Sequence, residues 1–330
     1  MIISRTPFRI SFFGGGTDYP AWYRENKGAV LATTINRYCY ITCRYLPPFF
    51  EHKHRIVYSK IENVKDISEI MHPSARAVLQ FMKIREGIEL HHDGDLPART
   101  GLGSSSAFTV GLLHALYALK GVMLPKNRLA TQAIHIEQEI LKENVGSQDQ
   151  ILAAFGGFNR INFNLDGSFQ IMPVILKKEK LEQLQKHLML YFTGLSRFAS
   201  DIAAEQIKNI GERKRELSLM YQMVEEAIKI LNSSTIEISE FGKLLNETWK
   251  LKRTLSSRIS DPRIDGIYEA ACKNGALGGK LLGAGGGGFM IFFVKPEEQP
   301  RVKERLRNIL QVPFQFENQG SQIIFYQPDV

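Results

Sequence analysis

One stretch limits what this chain can fold into more than any other. Asp95 to Gly121 reads DLPARTGLGSSSAFTVGLLHALYALKG: a turn, a loop of glycines and hydroxyls, then an apolar run too long for a strand and suited to a buried helix. Gly101 and Gly103 admit backbone conformations closed to other residues, and they let the chain come close to a ligand. Ser104, Ser105 and Ser106 place hydroxyls at the start of the helix. The first turn of a helix has free N–H groups and the positive end of the helix dipole, so Gly101, Leu102, Gly103 and the three serines are suited to hold a phosphate. Hydroxyl oxygen is at hand for a magnesium ion. A glycine-serine cluster also serves simply to cap a core helix, so the motifs that accompany it decide between the two roles.

Residues 2–13 alternate, are rich in Ile and Phe, and predict a strand that ends abruptly at Gly14, Gly15, Gly16, Thr17, Asp18 and Tyr19. Asp18 either accepts hydrogen bonds from sugar hydroxyls or caps a helix starting at Pro20. Strands follow over 28–45 and 55–59, and a helix over 73–85. His52 and His54 beside Glu51 read as an exposed loop, and His91 and His92 as structural residues near a strand end. In the helix over 125–143, Glu137 lies in the apolar stripe while Glu139 lies on a polar face. A carboxylate on the buried side needs a cation or a metal, unless it reaches solvent from the stripe's edge. Asp149, just downstream, caps a short helix or does chemistry.

The lysine-rich segment 177–186 divides the chain into domains at 1–180 and 181–330. In the second, strands are expected at 188–192, 289–294 and 322–326. Helices are expected over 202–231, weakened at Gly211, over 239–257, and over 297–310. The glycine cluster from Gly278 to Gly288 contains a GxGxxG spacing at Gly283, Gly285 and Gly288. It precedes a strand rather than opening a helix, which excludes a dinucleotide fingerprint, and Lys280 is followed by Leu, which excludes a Walker loop.

With 330 residues, 44% hydrophobic and 23% charged, the chain is long enough for two globular domains. Its formal charge of +8 and pI near 9.3 point to anionic partners. Arg213, Lys214 and Arg215 fall in a helical pattern without interleaved aromatics, which fits a solvated face better than a nucleic-acid groove. The three cysteines, Cys39, Cys43 and Cys272, form no CxxC pair, so neither a disulfide framework nor a thiolate zinc site is indicated. No apolar run of eighteen residues and no leader pattern occurs, so a cytoplasmic protein without membrane partners is expected.

The spacing of Pro97, Gly101, Leu102, Gly103 and Ser104 to Ser106 resembles the phosphate-binding motif of the GHMP kinases. Pro7, Arg9, Gly14, Thr17, Asp18 and Tyr19 resemble the sugar-kinase form of that family's first motif. Where galactokinases carry Glu-His, this chain has Gly15 and Gly16, a triple-glycine form similar to the heptose 7-phosphate kinase and fucokinase-like branch. Glu137 followed twelve residues later by the Asp of GSQDQ resembles a magnesium ligand and a catalytic aspartate, and KLLGAGGGGF resembles the third motif. The resemblance implies an α+β GHMP kinase fold, with an N-terminal ribosomal-protein-like domain and a C-terminal ferredoxin-like domain. It further implies ATP and magnesium as cofactors, Ser105 and Glu137 on the metal, and Asp149 and Arg9 as catalytic residues. Gly14 to Asp18 with Gly285 and Gly286 would shape the substrate site, for a small sugar phosphate. Arg253, Arg258 and Lys280 are candidates for the substrate's own phosphate. A fucose or other anomeric sugar kinase is the runner-up, and a nucleic-acid-binding protein on the same fold is the reading from another class.

Overall fold

The structure is a computed structural model and describes residues 1–194 and 199–328. The chain begins with β1 (Ile2–Phe13), the short helix α1 (Pro20–Tyr23), and the strands β2 (Gly28–Tyr45), β3 (His54–Val57) and β4 (Ile61–Val64). Then come α2 (Pro73–Phe81), β5 (Ile88–Gly94), α3 (Ser104–Leu119), α4 (Lys126–His135), α5 (Gln148–Phe155), β6 (Phe158–Phe163) and β7 (Phe169–Pro173). The second half has α6 (Lys178–Lys186), β8 (Leu188–Gly194), α7 (Ala199–Asn209), α8 (Lys214–Asn232), α9 (Ser239–Thr254) and α10 (Pro262–Lys273). It closes with β9 (Ala276–Leu281), β10 (Gly288–Val294), α11 (Gln299–Arg305), β11 (Leu310–Gln311), β12 (Phe316–Glu317) and β13 (Gln322–Tyr326).

Among the described residues the strands form two sheets. The larger has nine strands with the path β13-β1-β2-β5-β3-β4, and β6 and β12 also pair with β2. β2 serves so many partners because it is 18 residues long and shifts register against β1 between Pro7 and Phe8. Its first third pairs with β6 and its last third with β5. A bulge of this kind bends a strand, and here it separates the two uses. The smaller sheet is antiparallel in the order β11-β8-β10-β9.

α3 lies against β1 and β2, and nearly all of its inner side chains are buried, as its apolar run requires. The two lobes share a core. Phe12 and Phe13 at the end of β1 pack edge-on against Phe241 of α9, with ring centroids at 5.5 and 5.0 Å.

Several expectations need correction. The helix expected over 202–231 is two helices, α7 and α8, because the chain turns at Gly211 rather than merely weakening there. α10 was missed, although Asp261 caps it by accepting from the Ile264 N–H and Pro262 occupies its first turn. Gly278 to Lys280 lie in β9 rather than in a loop. The helix over 125–143 ends as α4 at His135 and continues as one π-type turn over Ile136–Ile140, where the Leu141 N–H bonds the Ile136 carbonyl. Ile140 is consequently exposed. The last strands of the stretch 181–330 pair with those of the first lobe, β12 with β2 and β13 with β1. His54 is buried in β3 rather than sitting on an open loop, and no cluster of three or more metal-ligating side chains occurs among the described residues. No described helix is long and apolar enough to cross a membrane.

Candidate active site

The glycine-serine loop lies between the lobes. Gly101 and Gly103 have φ of 80° and 75°, and Gly103 is the N-cap of α3, so the helix opens with its first N–H groups uncapped by any side chain. The Arg9 N–H bonds the Leu102 carbonyl at 3.0 Å, which ties the loop to β1. A Cβ on Gly101 would sit 2.3 Å from the Leu282 carbonyl oxygen, and one on Gly283 would sit 2.4 Å from the Gly101 Cα. The phosphate loop and the third glycine cluster are thus in direct backbone contact, and side chains are excluded from both surfaces.

Arg9 and Asp149, 140 positions apart in sequence, meet here. Arg9 Nε donates to Asp149 Oδ1 and Nη2 to Oδ2, each at 2.7 Å, while Nη1 donates to the Gly101 carbonyl at 2.6 Å. This two-pronged pair fixes the plane of the carboxylate. Asp149 stands in the first turn of α5 beside Gly103, where a Cβ would lie 3.3 Å from its Oδ2. Ser147 rather than Asp149 is the cap position.

Glu137 is fully buried, as its stripe position predicted, and sits in the π-type turn. Its Oε2 accepts from the Ser106 hydroxyl at 2.8 Å and from Gln150 Nε2 at 2.5 Å, and its buried Oε1 has no hydrogen-bond partner. Burial pushes its carboxyl up to about 7, against the opposing pull of the Thr109 and Ser106 hydroxyls. The hydroxyl set against Glu137 is that of Ser106. Ser105, expected in that role, is exposed beside it, and Ser104 turns back to accept from the Arg99 N–H.

The first-motif turn divides into supporting and open parts. Thr17 is fully buried and consumed by the fold: its one hydroxyl proton is shared between the Gly14 and Ala29 carbonyls, and its oxygen accepts from the Ala29 N–H. It braces the turn rather than facing a substrate. Asp18 Oδ1 accepts from the Gly16 N–H and Oδ2 from Gln148 Nε2, each at 2.9 Å. Burial raises its pKa, with the Asp149 charge adding to the effect. Gly15 has no close neighbour beyond the Ser11 hydroxyl and the Gln148 amide, so the space at that position is open. Gly285 and Gly286 lie against Ile259, whose carbonyl accepts from the Gly286 N–H.

The three expected phosphate holders each have a different partner within the chain. Lys280 is buried and donates to the Phe12 carbonyl at 2.9 Å; burial, with Arg9 nearby, lowers its pKa to about 7. Arg253 faces Asp265 at 3.4 Å and Arg258 approaches Asp201 at 3.9 Å, both on exposed faces. A residue that sequence reasoning missed is Lys252. It is buried on the inner side of α9, with Nζ donating to the Leu281 carbonyl at 2.8 Å and to that of Gly283 at 2.5 Å. The signal was present: Phe241, Leu245 and Trp249 mark an apolar stripe, and Lys252 continues it one turn on. Gln148 and Gln150, flanking Asp149, were likewise passed over.

A phosphate loop at a helix N-terminus, an Arg-braced carboxylate beside it and a buried glutamate behind define a two-lobed small-molecule phosphotransferase. Comparison with known proteins agrees. Residues 69–157 match the GHMP kinases N terminal domain, and residues 223–311 match the GHMP kinases C terminal model. A D-glycero-alpha-D-manno-heptose 7-phosphate kinase of Campylobacter jejuni is 32% identical over 320 residues, covering 93% of each chain. An L-fucokinase/L-fucose-1-P guanylyltransferase of Bacteroides fragilis is 26% identical over 94% of this chain, which spans 36% of that longer protein. Among solved structures, a D-glycero-D-manno-heptose 1-phosphate kinase from Bacteroides thetaiotaomicron shares the fold with a TM-score of 0.78, at 24% identity over 97% of this chain and 98% of that one. The chain belongs to the GHMP kinases, phosphotransferases with an alcohol group as acceptor and ATP as phosphate donor.

Proposed function

We propose that this protein transfers the γ-phosphoryl group of ATP to the anomeric hydroxyl of D-glycero-D-manno-heptose 7-phosphate. The observation that carries the reading is the Arg9 fork, which holds Asp149 with two bonds and the phosphate-loop carbonyl of Gly101 with a third. The group that accepts a proton is thereby set next to the loop that holds the donor. The acceptor oxygen attacks the γ-phosphorus as the bond to the bridging oxygen of ADP breaks, and its proton passes to Asp149. Arg9 sits where charge develops on the transferred group. N–H groups of the Gly101 to Ser106 segment hold the phosphates of ATP.

The acceptor assignment rests on the likeness to the Campylobacter heptose 7-phosphate kinase and on Gly15, beside which space is open for a bulky sugar. Glu137 suits a divalent cation because it is a buried carboxylate with one oxygen unpartnered and hydroxyls at hand. Glu137, Ser106 and the open hydroxyl of Ser105 would hold magnesium, which neutralises charge on the β- and γ-phosphates when bound.

ADP release from ATP and magnesium, measured with heptose 7-phosphate, unphosphorylated heptose, fucose, galactose and mevalonate, tests the reading. Turnover is expected with heptose 7-phosphate, and Asp149→Asn should reduce it by about a thousandfold or more while ATP binding changes by no more than about threefold. Preference for fucose would replace the acceptor and keep the mechanism. Full activity in Asp149→Asn would remove that residue from its role.

A further inference from the structure

α9 lies directly on β9. A Cβ on Gly278 of β9 would sit 2.1 Å from the Gly242 carbonyl oxygen of α9, so two glycines let the helix backbone rest on the strand. Ten residues further on, about 15 Å along the helix, Lys252 stands on the same buried face where β9 ends. β9 is the last strand of its sheet among the described residues, and carbonyls on its open side need donors from elsewhere. Lys252 supplies them, to Leu281 at 2.8 Å and to Gly283, two residues on, at 2.5 Å.

Packing alone does not call for a lysine there. Leu245 and Trp249 already fill the stripe, and an apolar side chain would complete it without taking an ammonium out of water. What the ammonium grips is the point at which the two loops touch. Gly283 lies against Gly101, a Cβ on it falling 2.4 Å from the Gly101 Cα. The Gly101 carbonyl accepts from Arg9 Nη1 at 2.6 Å, and the other two guanidinium nitrogens hold Asp149. Every link from α9 to the catalytic carboxylate is thus a hydrogen bond or a backbone contact. Bonds on either side keep the loop in place, from Gln206 to the Ala284 carbonyl at 2.7 Å and from the Phe289 N–H to the Thr100 carbonyl at 3.1 Å.

We propose that Lys252 is a positioning residue for phosphoryl transfer: it presses Gly283 onto Gly101 and so holds the Gly101 carbonyl where it aims Arg9. The inference rests on the kinase reading above. It makes the orientation of Arg9, a residue of the first lobe, depend on a side chain of the second that acts without touching the substrate.

Two measurements test it. The first is a double-mutant cycle on kcat with heptose 7-phosphate, using Lys252→Met, which keeps the length and loses the donor, and Arg9→Lys, which keeps the charge and loses the fork. Lys252→Met is expected to lower kcat by about tenfold or more, while KM for ATP rises by no more than about threefold because α3 still opens at Ser104. In the Arg9→Lys background the same substitution should change kcat by about twofold or less. The second follows hydrogen exchange, in the ligand-free protein, at the Arg9 and Phe289 N–H groups, which donate to the Leu102 and Thr100 carbonyls of the phosphate loop. Exchange at both should quicken by about tenfold or more in Lys252→Met while β5 is unchanged. Should Lys252→Met not fold, Lys252→Gln, which keeps an N–H donor on a shorter chain, carries both comparisons. Wild-type kcat in the variant, or the same loss in both backgrounds, would overturn the proposal and leave Lys252 a donor to the end of β9. If the wild type phosphorylates none of the sugars tried, the acceptor reading fails and exchange decides the matter: faster exchange keeps Lys252 as the holder of the loop contact, and unchanged exchange removes it.

Discussion

Lys252 and Lys280 are almost wholly removed from water and stand near Arg9, and the carboxylate that offsets them both among the described residues is Asp18. Each spends its protons on backbone carbonyls, Lys280 on Phe12 and Lys252 on the third loop. Desolvation lowers the pKa of both, and that of Lys280 falls from 10.5 to about 7. A lysine whose pKa is lower in the folded than in the unfolded state contributes stability present above the unfolded value and lost as pH falls through the folded one. Between pH 9 and pH 7 the wild type should therefore lose about 2 kcal/mol that Lys280→Met does not lose, read from urea midpoints at the two pH values. Parallel losses in both proteins would show that Lys280 titrates normally. The two buried lysines and Glu137 follow one rule, that a charged residue on an apolar helix stripe or a buried strand is held by the site. The same rule points to Lys252 on the stripe of α9.

At the scale of elements, the site depends on two glycine loops meeting back to back. Gly101 and Gly283 both have positive φ, and each lies against the other's backbone, so neither tolerates a Cβ without moving a lobe. Gly283→Ala should cost about 2 kcal/mol or more in stability and lower kcat by about tenfold or more, because displacing Gly101 moves the carbonyl that orients Arg9. Thermal unfolding and steady-state assays on the variant check both; wild-type kcat would show that the loops are not coupled. The loops themselves were legible from composition, since runs such as Gly285 to Gly288 are hard to account for otherwise. Their contact was not, because local sequence holds no term for the approach of Gly101 and Gly283, 182 positions apart. The π-type turn that carries Glu137 escaped for a similar reason: one additional residue in a helix turn leaves the apolar pattern nearly unchanged but moves Ile140 outward.

For the molecule as a whole, the C-terminal strands lock the first lobe after the second has been completed. β13 lines the edge of β1, the Ser321 hydroxyl bonds those of Thr6 and the ring of His114, and the Thr34 hydroxyl donates to the Glu317 carbonyl. Truncation after residue 315 should therefore lower Tm by about 10 °C or more and destabilise the first lobe in particular. Hydrogen exchange in β1 and α3 locates the loss, and unchanged protection there would overturn it.

The sequence by itself determined the local elements around the chemistry: β1 and its glycine turn, the phosphate loop and α3, the burial of Glu137, and the strand after the third cluster. Each follows from a periodicity or a residue type that acts over a few positions, and together they suffice to place the chain in its family. Only the tertiary structure decided which side chains meet. Arg9 reaches Asp149 across 140 positions, Ser106 rather than Ser105 turns to Glu137, and Thr17 is used by the turn. It also sends Arg253 and Arg258 to surface partners. These outcomes depend on packing angles and on competition among partners for each polar group, which arise only when distant segments share one volume.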